Sequence, residues 1–493
     1  MFLNANKPKI RTKTVTVKKT PAATAPSAAQ TRPSHPGRSC SGPPANRYQV
    51  STSAQAASRE PARRQPAVRH VQRRRVSPGT PQWASSDDES DGDDARSRKR
   101  QKTRPGSSSS EPTAAHRTLE PDLGRRIRMR EREKGEHANG ASDALVQGMA
   151  MSSGDEAKNY KAAFAGCDGN PVLELQYPSP TRPERFEAVN PLDVQEGYSP
   201  LEDIYFSIEE MIQHYLPSDL ANDLSSDTEG TVRLLKRAVS KNSPHDFQTE
   251  LAKFNTLIKD SVMNGTVARI MDEMHAIPLS LVKRITAQSY NRIVSPHAHR
   301  LRKVKGKETT YGELLTPFVH KIFQQTGLNS THTFVDLGSG VGNVVLQAAL
   351  QTGAESWGIE MMPLAASLGT KQASELEARA RLWNLSLGAI HLIAGDFLET
   401  PDIDAVLRRA DVVLVNNKVF GEKLNNDLLQ KFLDLKDGCQ VVSLASFGGG
   451  AKHGVRHEQA IAGLFDEERY ESGTASVSWV GESVEYFIAR KAR

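Results

Sequence analysis

The chain has 493 residues, 37% of them hydrophobic and 27 of them proline, so it is too long for one ordinary core and too rich in proline for all of it to be core. Charge separates the two parts: residues 1–140 hold 29 Lys and Arg against 13 Asp and Glu, a balance of +16, whereas the other 353 residues hold 35 against 45, a balance of −10. No run approaches the ~18 apolar residues needed to span a bilayer. MFLNANKPKI at the start lacks the apolar stretch of a secretory signal, and Cys40, Cys167 and Cys439 have neither metal-ligand spacing nor a complete pairing. The expectation is a soluble intracellular protein with no membrane partner and no metal.

In chain order, residues 1 to about 165 are rich in Pro, Ser, Ala, Arg and Lys and almost without apolar periodicity. Such a segment cannot bury enough surface to offset the entropy of ordering, so a disordered basic tail is expected, with nucleic acid the first partner to consider. Within it the acidic SSDDESDGDD (Ser85 to Asp94) precedes SRKRQKTR (Ser97 to Arg104), a basic cluster that suits import into the nucleus beside serines that suit phosphorylation. RRIRMRER (Arg125 to Arg132) reads either as a solvated segment or as one that turns helical on a phosphate surface.

From about Asn170 the composition turns globular. PVLELQYPSP and ERFEAV look like a strand pair, and Ile204, Ile208, Met211, Ile212 and Tyr215 form the apolar stripe of a helix stopped by Pro217. Leu251, Phe254, Ile258 and Val262 mark a second helix, and Val267 to Ile285 continues a mainly helical accessory region over 166–309. After Thr333, short apolar runs alternate with helices: FVDL, SWGIE, IHLIAGD, DVVLVNN and QVVSLAS read as strands, with Val341 to Gln351 and Lys371 to Leu385 among the crossover helices. That alternation predicts an α/β fold with a doubly wound, mostly parallel sheet over 310–493. SVSWV (Ser476 to Val480) and VEYFIAR (Val484 to Arg490), separated by GES, read as a closing hairpin.

The strongest chemical signal is VDLGSGVGN, Val335 to Asn343: an acid at a strand end, then Gly338, Gly340 and Gly342, then a helix. Glycine is needed where the backbone turns sharply and a ligand approaches it. A dinucleotide fingerprint has its third glycine one residue later; here Asn343 fills that position, which favours a ligand joining a nucleoside to an amino acid. Asp336 then suits the ammonium of a methionine moiety. Glu360, 22 residues after Gly338, suits ribose hydroxyls, and Asp396 with Phe397 suits the adenine amine and ring. Each acid ends a successive strand, where open α/β sheets bind ligands.

TYGEL (Thr310 to Leu314), VDLGSGVGNVVLQ, GIE (Gly358 to Glu360), GDF (Gly395 to Phe397), VNNKVF (Val415 to Phe420) and SVSW (Ser476 to Trp479) together resemble the disruptor-of-telomeric-silencing family of histone H3 lysine methyltransferases, over about Ser289 to Arg490 and in its fungal branch. The resemblance implies the class I methyltransferase fold with a seven-stranded sheet instead of the SET fold. It also implies S-adenosylmethionine as cofactor, S-adenosylhomocysteine as product, and a target lysine in the globular core of histone H3 on the nucleosome. Nuclear roles in telomeric silencing and the DNA damage checkpoint, and a dependence on ubiquitinated nucleosomes, are further implications. By the same resemblance Glu313 holds the methionine part with Asp336 and Gly338, Glu360 the ribose, and Asp396 and Phe397 the adenine, while Tyr311 supports the loop beside Glu313. Asn343 stands where animal members carry glutamine. Asn416 falls beside the reacting methyl, and Phe420, Trp479 and Tyr486 line the lysine channel.

A lysine amine, pKa about 10.4 in water, must lose a proton before it attacks. Desolvation in an aromatic channel favours the neutral form, and alignment can lower such a barrier by roughly 7–11 kcal/mol, so Asn416 is expected to orient and not to act as a base. Two other classes fit parts of the pattern: a chromatin adaptor that binds cofactor without transferring a methyl, and an RNA or DNA methyltransferase. Intact acidic and glycine positions count against the first. Against the second, VNNKVF stands where amino-directed base methyltransferases carry an Asn/Asp-Pro-Pro-aromatic motif.

Overall fold

The computed structural model describes residues 117–130, 144–167, 169–193, 197–303, 312–447 and 461–492. The acidic run, the import-like cluster and Tyr311 lie outside the described residues.

Two short strands, Val172–Leu175 and Glu184–Glu187, pair antiparallel as expected, and helices follow. Helices α1 (Pro200–Tyr215) and α2 (Pro244–Met263) both start on a serine whose side chain caps the first turn, Ser199 and Ser243, with proline next. Their stripes, including Ile204, Ile208, Met211, Phe254 and Ile258, are buried. Helix α3 (Leu279–Ile293) is buried on nearly every side. The apolar residues of these helices form one cluster with Leu346, Leu350, Leu376 and Trp383 of the second half of the chain, so the helical region and one face of the sheet share a core.

The second half opens with α4 (Thr316–Thr326) and continues as β1 (Thr333–Leu337), α5 (Asn343–Gln351), β2 (Glu355–Glu360), α6 (Pro363–Leu382), β3 (Ile390–Ala394), α7 (Pro401–Leu407), β4 (Val412–Val415), α8 (Glu422–Phe432), β5 (Gln440–Ser443), β6 (Phe465–Glu471) and β7 (Glu485–Lys491). The sheet order is β6-β7-β5-β4-β1-β2-β3. Strands β1 to β5 are parallel, and their order reverses beside β1, which creates the crevice at the strands' C-terminal ends. Strand β7 enters antiparallel between β5 and β6.

Two expectations are corrected here. The hairpin partner of β7 is β6, with Tyr470 opposite Tyr486, and not Ser476–Val480. Strand β6, FDEERYE, was hidden from apolar periodicity because it is a charged edge strand, with Asp466, Glu467, Glu468 and Glu471 exposed. The segment 476–478 is instead drawn to 313–315: Leu315 N–H donates to Ser476 O, Ser478 N–H to Glu313 O, and Glu313 N–H to Ser478 Oγ, each at 2.9 Å.

The second correction concerns the tail expected over 1–165: of its described residues, 117–130 run as an extended strap over the joint between the helices and the sheet, and 144–165 include the strand Tyr160–Ala162, paired with Val189–Pro191, and the buried Phe164. Ile127 and Met129 are buried, and the backbone bonds of Ile127 and Met129 go to Ser386 and Asn384. Arg125, in the run read as solvated or phosphate-bound, donates to the carbonyls of Leu350 and Gln351 at 2.7 Å and of Ser386 at 3.2 Å. It thereby caps the end of α5, where carbonyls lack intrahelical partners. Arg128 grips Asp272 with two bonds of 2.8 and 2.7 Å. Replacing Arg125 with Ala strips three carbonyls of a charged donor and is expected to lower unfolding stability by about 2–4 kcal/mol. A chain starting at residue 117 should melt like the full-length protein, whereas one starting at 166 should melt well below it; equal melting of the two truncations in calorimetry contradicts the role given to the strap.

Candidate active site

A cavity of about 510 Å³ opens at the C-terminal ends of β1 to β4, within the size range of cofactor sites. Asp336 near the end of β1, Glu360 at the end of β2, Asp396 after β3 and Asn416 after β4 all line it. Between β1 and α5, Gly338, Gly340 and Gly342 adopt φ of +85°, +57° and +82°, left-handed values that explain why glycine occupies all three. The loop is tied down by Glu360, whose Oε2 accepts from Gly340 N–H at 2.8 Å and whose Oε1 accepts from Met362 N–H at 2.7 Å.

The wall opposite the glycine loop comes from the zipped segments 313–315 and 476–478, which carry Glu313 and Trp479 into the lining. A side chain on Gly312 would strike the Trp479 ring at 2.5 Å, so TYGEL and SVSW need each other. Phe397 lies buried with its ring centroid 6.3 Å from that of Phe420, and both line the cavity. Asn343 Oδ1 accepts from Gln372 Nε2 at 2.9 Å, while its buried Nδ2 has no partner among the described residues.

Burial strains two of the carboxyl groups, Asp336 and Glu360. Burial, then the charge of Glu360, pushes the Asp336 carboxyl up to about 8. Burial also raises Glu360, against the lowering effect of the backbone N–H groups of Met362, Gly340 and Met361. A cavity that holds this many acids at such cost is shaped for a cationic ligand.

Of the residues singled out in the sequence, Glu313, Asp336, Gly338, Gly340, Asn343, Glu360, Asp396, Phe397, Asn416, Phe420 and Trp479 come together in this cavity, and Tyr311 lies outside the described residues. Tyr486 is not among them. It is fully buried behind the wall, edge-on to Phe318 at 4.9 Å and stacked on Tyr470 at 5.5 Å, with its hydroxyl donating to Gln325. On β7 its side chain falls on the face that α4 covers.

Two polar residues escaped the sequence reading. Asn417 is buried and braces the turn after β4: its Oδ1 accepts from Leu444 and Ala445 N–H, and its Nδ2 donates to Asn425 Oδ1 and Ala445 O. The doubled asparagine was the available signal, since neighbours at a strand end face opposite ways. Tyr290, far upstream on α3, donates from its hydroxyl to Glu313 Oε1 at 3.0 Å; no local pattern announced it.

The model of the family described as "Histone methylation protein DOT1" matches residues 290–490. A protein of Emericella nidulans named "Histone-lysine N-methyltransferase, H3 lysine-79 specific" is 42% identical over 376 residues, spanning 76% of this chain and 74% of the relative. A protein of Aspergillus fumigatus with the same name is 39% identical over 478 residues, 94% of this chain and 92% of the relative, and one of Yarrowia lipolytica is 34% identical over 296 residues, 59% and 60%. With the glycine loop, the strand-end acids and the TYGEL–SVSW wall gathered in one cavity, and relatives this similar over most of both chains, the chain belongs to the DOT1 family of histone methylation proteins.

Proposed function

We propose that this protein is an S-adenosylmethionine-dependent histone-lysine methyltransferase acting in the nucleus on the globular core of histone H3 in nucleosomes, at the H3 lysine-79 site for which its relatives are named. The observation that carries this reading is the convergence of three strand-end carboxylates, Asn416 and the rings of Phe397, Phe420 and Trp479 on one cavity of about 510 Å³.

The donor set fits the cofactor. Asp336 and Glu313 offer carboxylates to an ammonium, Glu360 an acceptor for ribose hydroxyls, Asp396 an acceptor for an adenine amine, and Phe397 a ring to cover the base. Bound there, the cofactor supplies an electrophilic methyl on a positively charged sulfur. The protein's work is positioning and water exclusion: Trp479 and Phe420 strip water from the entering lysine side chain, which favours its neutral amine. Asn416 orients that amine, and no residue of the lining need act as a strong base.

Docking on a nucleosome needs polyanion contacts. Residues 1–116 supply a basic handle by composition, and the folded body adds His299, Arg300, Arg302, Lys303 and Lys371. These are exposed and outside every ion pair among the described residues, and Leu301 in their midst lines the cavity. In this division of labour, 310–493 carry the chemistry, 166–309 complete and brace the site, and the N-terminal residues hold DNA. Telomeric silencing and a dependence on ubiquitinated nucleosomes belong to the same proposal, and unmodified against ubiquitinated particles in parallel assays test the latter.

Two outcomes are expected. Asn416→Ala should lower kcat on nucleosomes by about 100-fold through misplacement of the amine, with cofactor affinity nearly unchanged; normal methylation by a folded, cofactor-binding variant refutes the orienting role. Asp336, with its folded pKa near 8 above the ordinary ~3.9, is protonated in the free enzyme at pH 6. Its proton adds stability below pH ~4 that is lost as pH rises through 8, so the ligand-free protein should melt lower at pH 8 than at pH 5. Holding a cation requires the ionised form, so S-adenosylmethionine affinity should rise up to about tenfold per pH unit from 6 towards 8. Above that, loss of the cofactor's own amine proton, pKa about 7.7–8.0, reverses the trend. Titration calorimetry at several pH values on wild type and Asp336→Asn checks this; an equal slope in both removes Asp336 from the linkage.

A further inference from the structure

Besides Leu301, which lines the cavity, the helical region touches a lining residue through the Tyr290 side chain. Tyr290 on α3 is 2% exposed, and its hydroxyl donates to Glu313 Oε1 at 3.0 Å. Its ring packs with Ala287 and Val294 against Val341 of the glycine loop and Ala365 and Leu368 of α6. Another face of the same helix is locked. Arg284, Gln288 and Arg292, spaced at i, i+4 and i+8, enter a buried polar cluster in which Arg292 contacts Glu184 at 2.7 Å and Asp203 at 2.6 Å, and Arg284 also pairs with Asp203. Gln288 donates to Asp203 at 2.9 Å. Rotating α3 to withdraw Tyr290 would break these buried pairs.

We infer that Tyr290 is a positioning residue for cofactor binding, acting through Glu313 by holding its carboxylate in the rotamer that receives the methionine-end ammonium. The inference rests on reading the cavity as the cofactor site. Glu313 shares that cavity with Asp336, Glu360 and Asp396, and a glutamate side chain has several rotamers among which a fixed donor can choose. A phenol suits this position because it donates to the anion without adding a positive charge, so the carboxylate stays available to a cationic ligand. Burial first, and Glu313 second, raise the hydroxyl's pKa well above its ordinary value, so it remains a donor across the working pH range. The helical region is by this inference part of the cofactor site.

The test uses the full-length protein, with S-adenosylhomocysteine in calorimetry and S-adenosylmethionine in steady-state assays on nucleosomes. Tyr290→Phe keeps the ring and removes only the donor; it should weaken product affinity and raise the cofactor KM about tenfold, with kcat at saturating cofactor near that of the wild type. Glu313→Gln should weaken binding at least as much, and the double variant should match Glu313→Gln alone within about twofold, because the two side chains act as one unit. Additive losses in this cycle would overturn the inference. So would a Tyr290→Phe protein that binds like the wild type beside a Tyr290→Leu protein that does not, since ring packing would then be the whole effect. If the wild type itself fails to bind S-adenosylhomocysteine, the cofactor reading fails, an outcome distinct from either of these.

Discussion

Three acids and three arginines buried between the helical region and the sheet hold the molecule in one arrangement. Glu184, Asp203 and Glu375 face Arg284, Arg292 and Arg379, and the Glu184, Arg292 and Arg379 side chains are wholly buried. Their charges cancel, which is the condition for burying them at all. Burial pushes the Glu184 carboxyl up, but Arg292 and Arg379 outweigh it and hold it at about 2, so the pairs stay ionised at any physiological pH. Tyr177 donates to Glu184 at 2.9 Å and Tyr198 to Asp203 at 2.6 Å, and Trp383 ties in through Gln288. Because such pairs are directional and costly to break, roughly 3–5 kcal/mol when one partner is removed, they fix the rotation of α3 against α6 where apolar packing alone would tolerate slippage. The position of Tyr290, and through it Glu313, follows from that lock.

Local physics made the sheet legible. FVDL, SWGIE and VVLV are largely apolar runs because parallel strands are covered on both faces, and Asp336, Glu360 and Asp396 stand at or just past the ends of the first three strands, a position that local pattern alone indicates. What could not be read was set by contacts distant in the chain. Ser476 to Trp479 has strand composition, yet its partner is the 313–315 segment some 160 residues earlier, and no turn signal encodes a pairing of that kind. Tyr486 carries an aromatic suited equally to a channel or a core, and alternation along β7 sent it to the core face. Arg125 and Arg128 belong to a charge run in which only tertiary structure distinguishes a helix cap from a phosphate contact.

The charges that remain sort the two partners of the reaction. Inside, Glu313, Asp336, Glu360 and Asp396 line the cavity; outside, Arg300, Arg302, Lys303 and Lys371 expose the opposite sign. If nucleic acid is the outer partner, as proposed, phosphate would be attracted to the rim and repelled from the interior, leaving the cofactor's place free.

That sorting also bears on how a lysine becomes a nucleophile without a base. An entering ammonium would be welcomed by carboxylates, so the acids must be spent on the cofactor before the amine arrives. Asp336 and Glu313 are engaged if they hold its ammonium, and Glu360 is already drawn onto Gly340 and Met362. On the proposed reading, what would then face the lysine is Trp479, Phe420 and the neutral amide of Asn416, with Lys418 also on the lining. Apolar rings and a nearby cation both disfavour a second positive charge, and a cationic sulfur adds to them. On the proposed reading, order of binding would do the work of a general base: with the cofactor seated, the surroundings of the lysine would change from ones that trap an ammonium to ones that expel its proton.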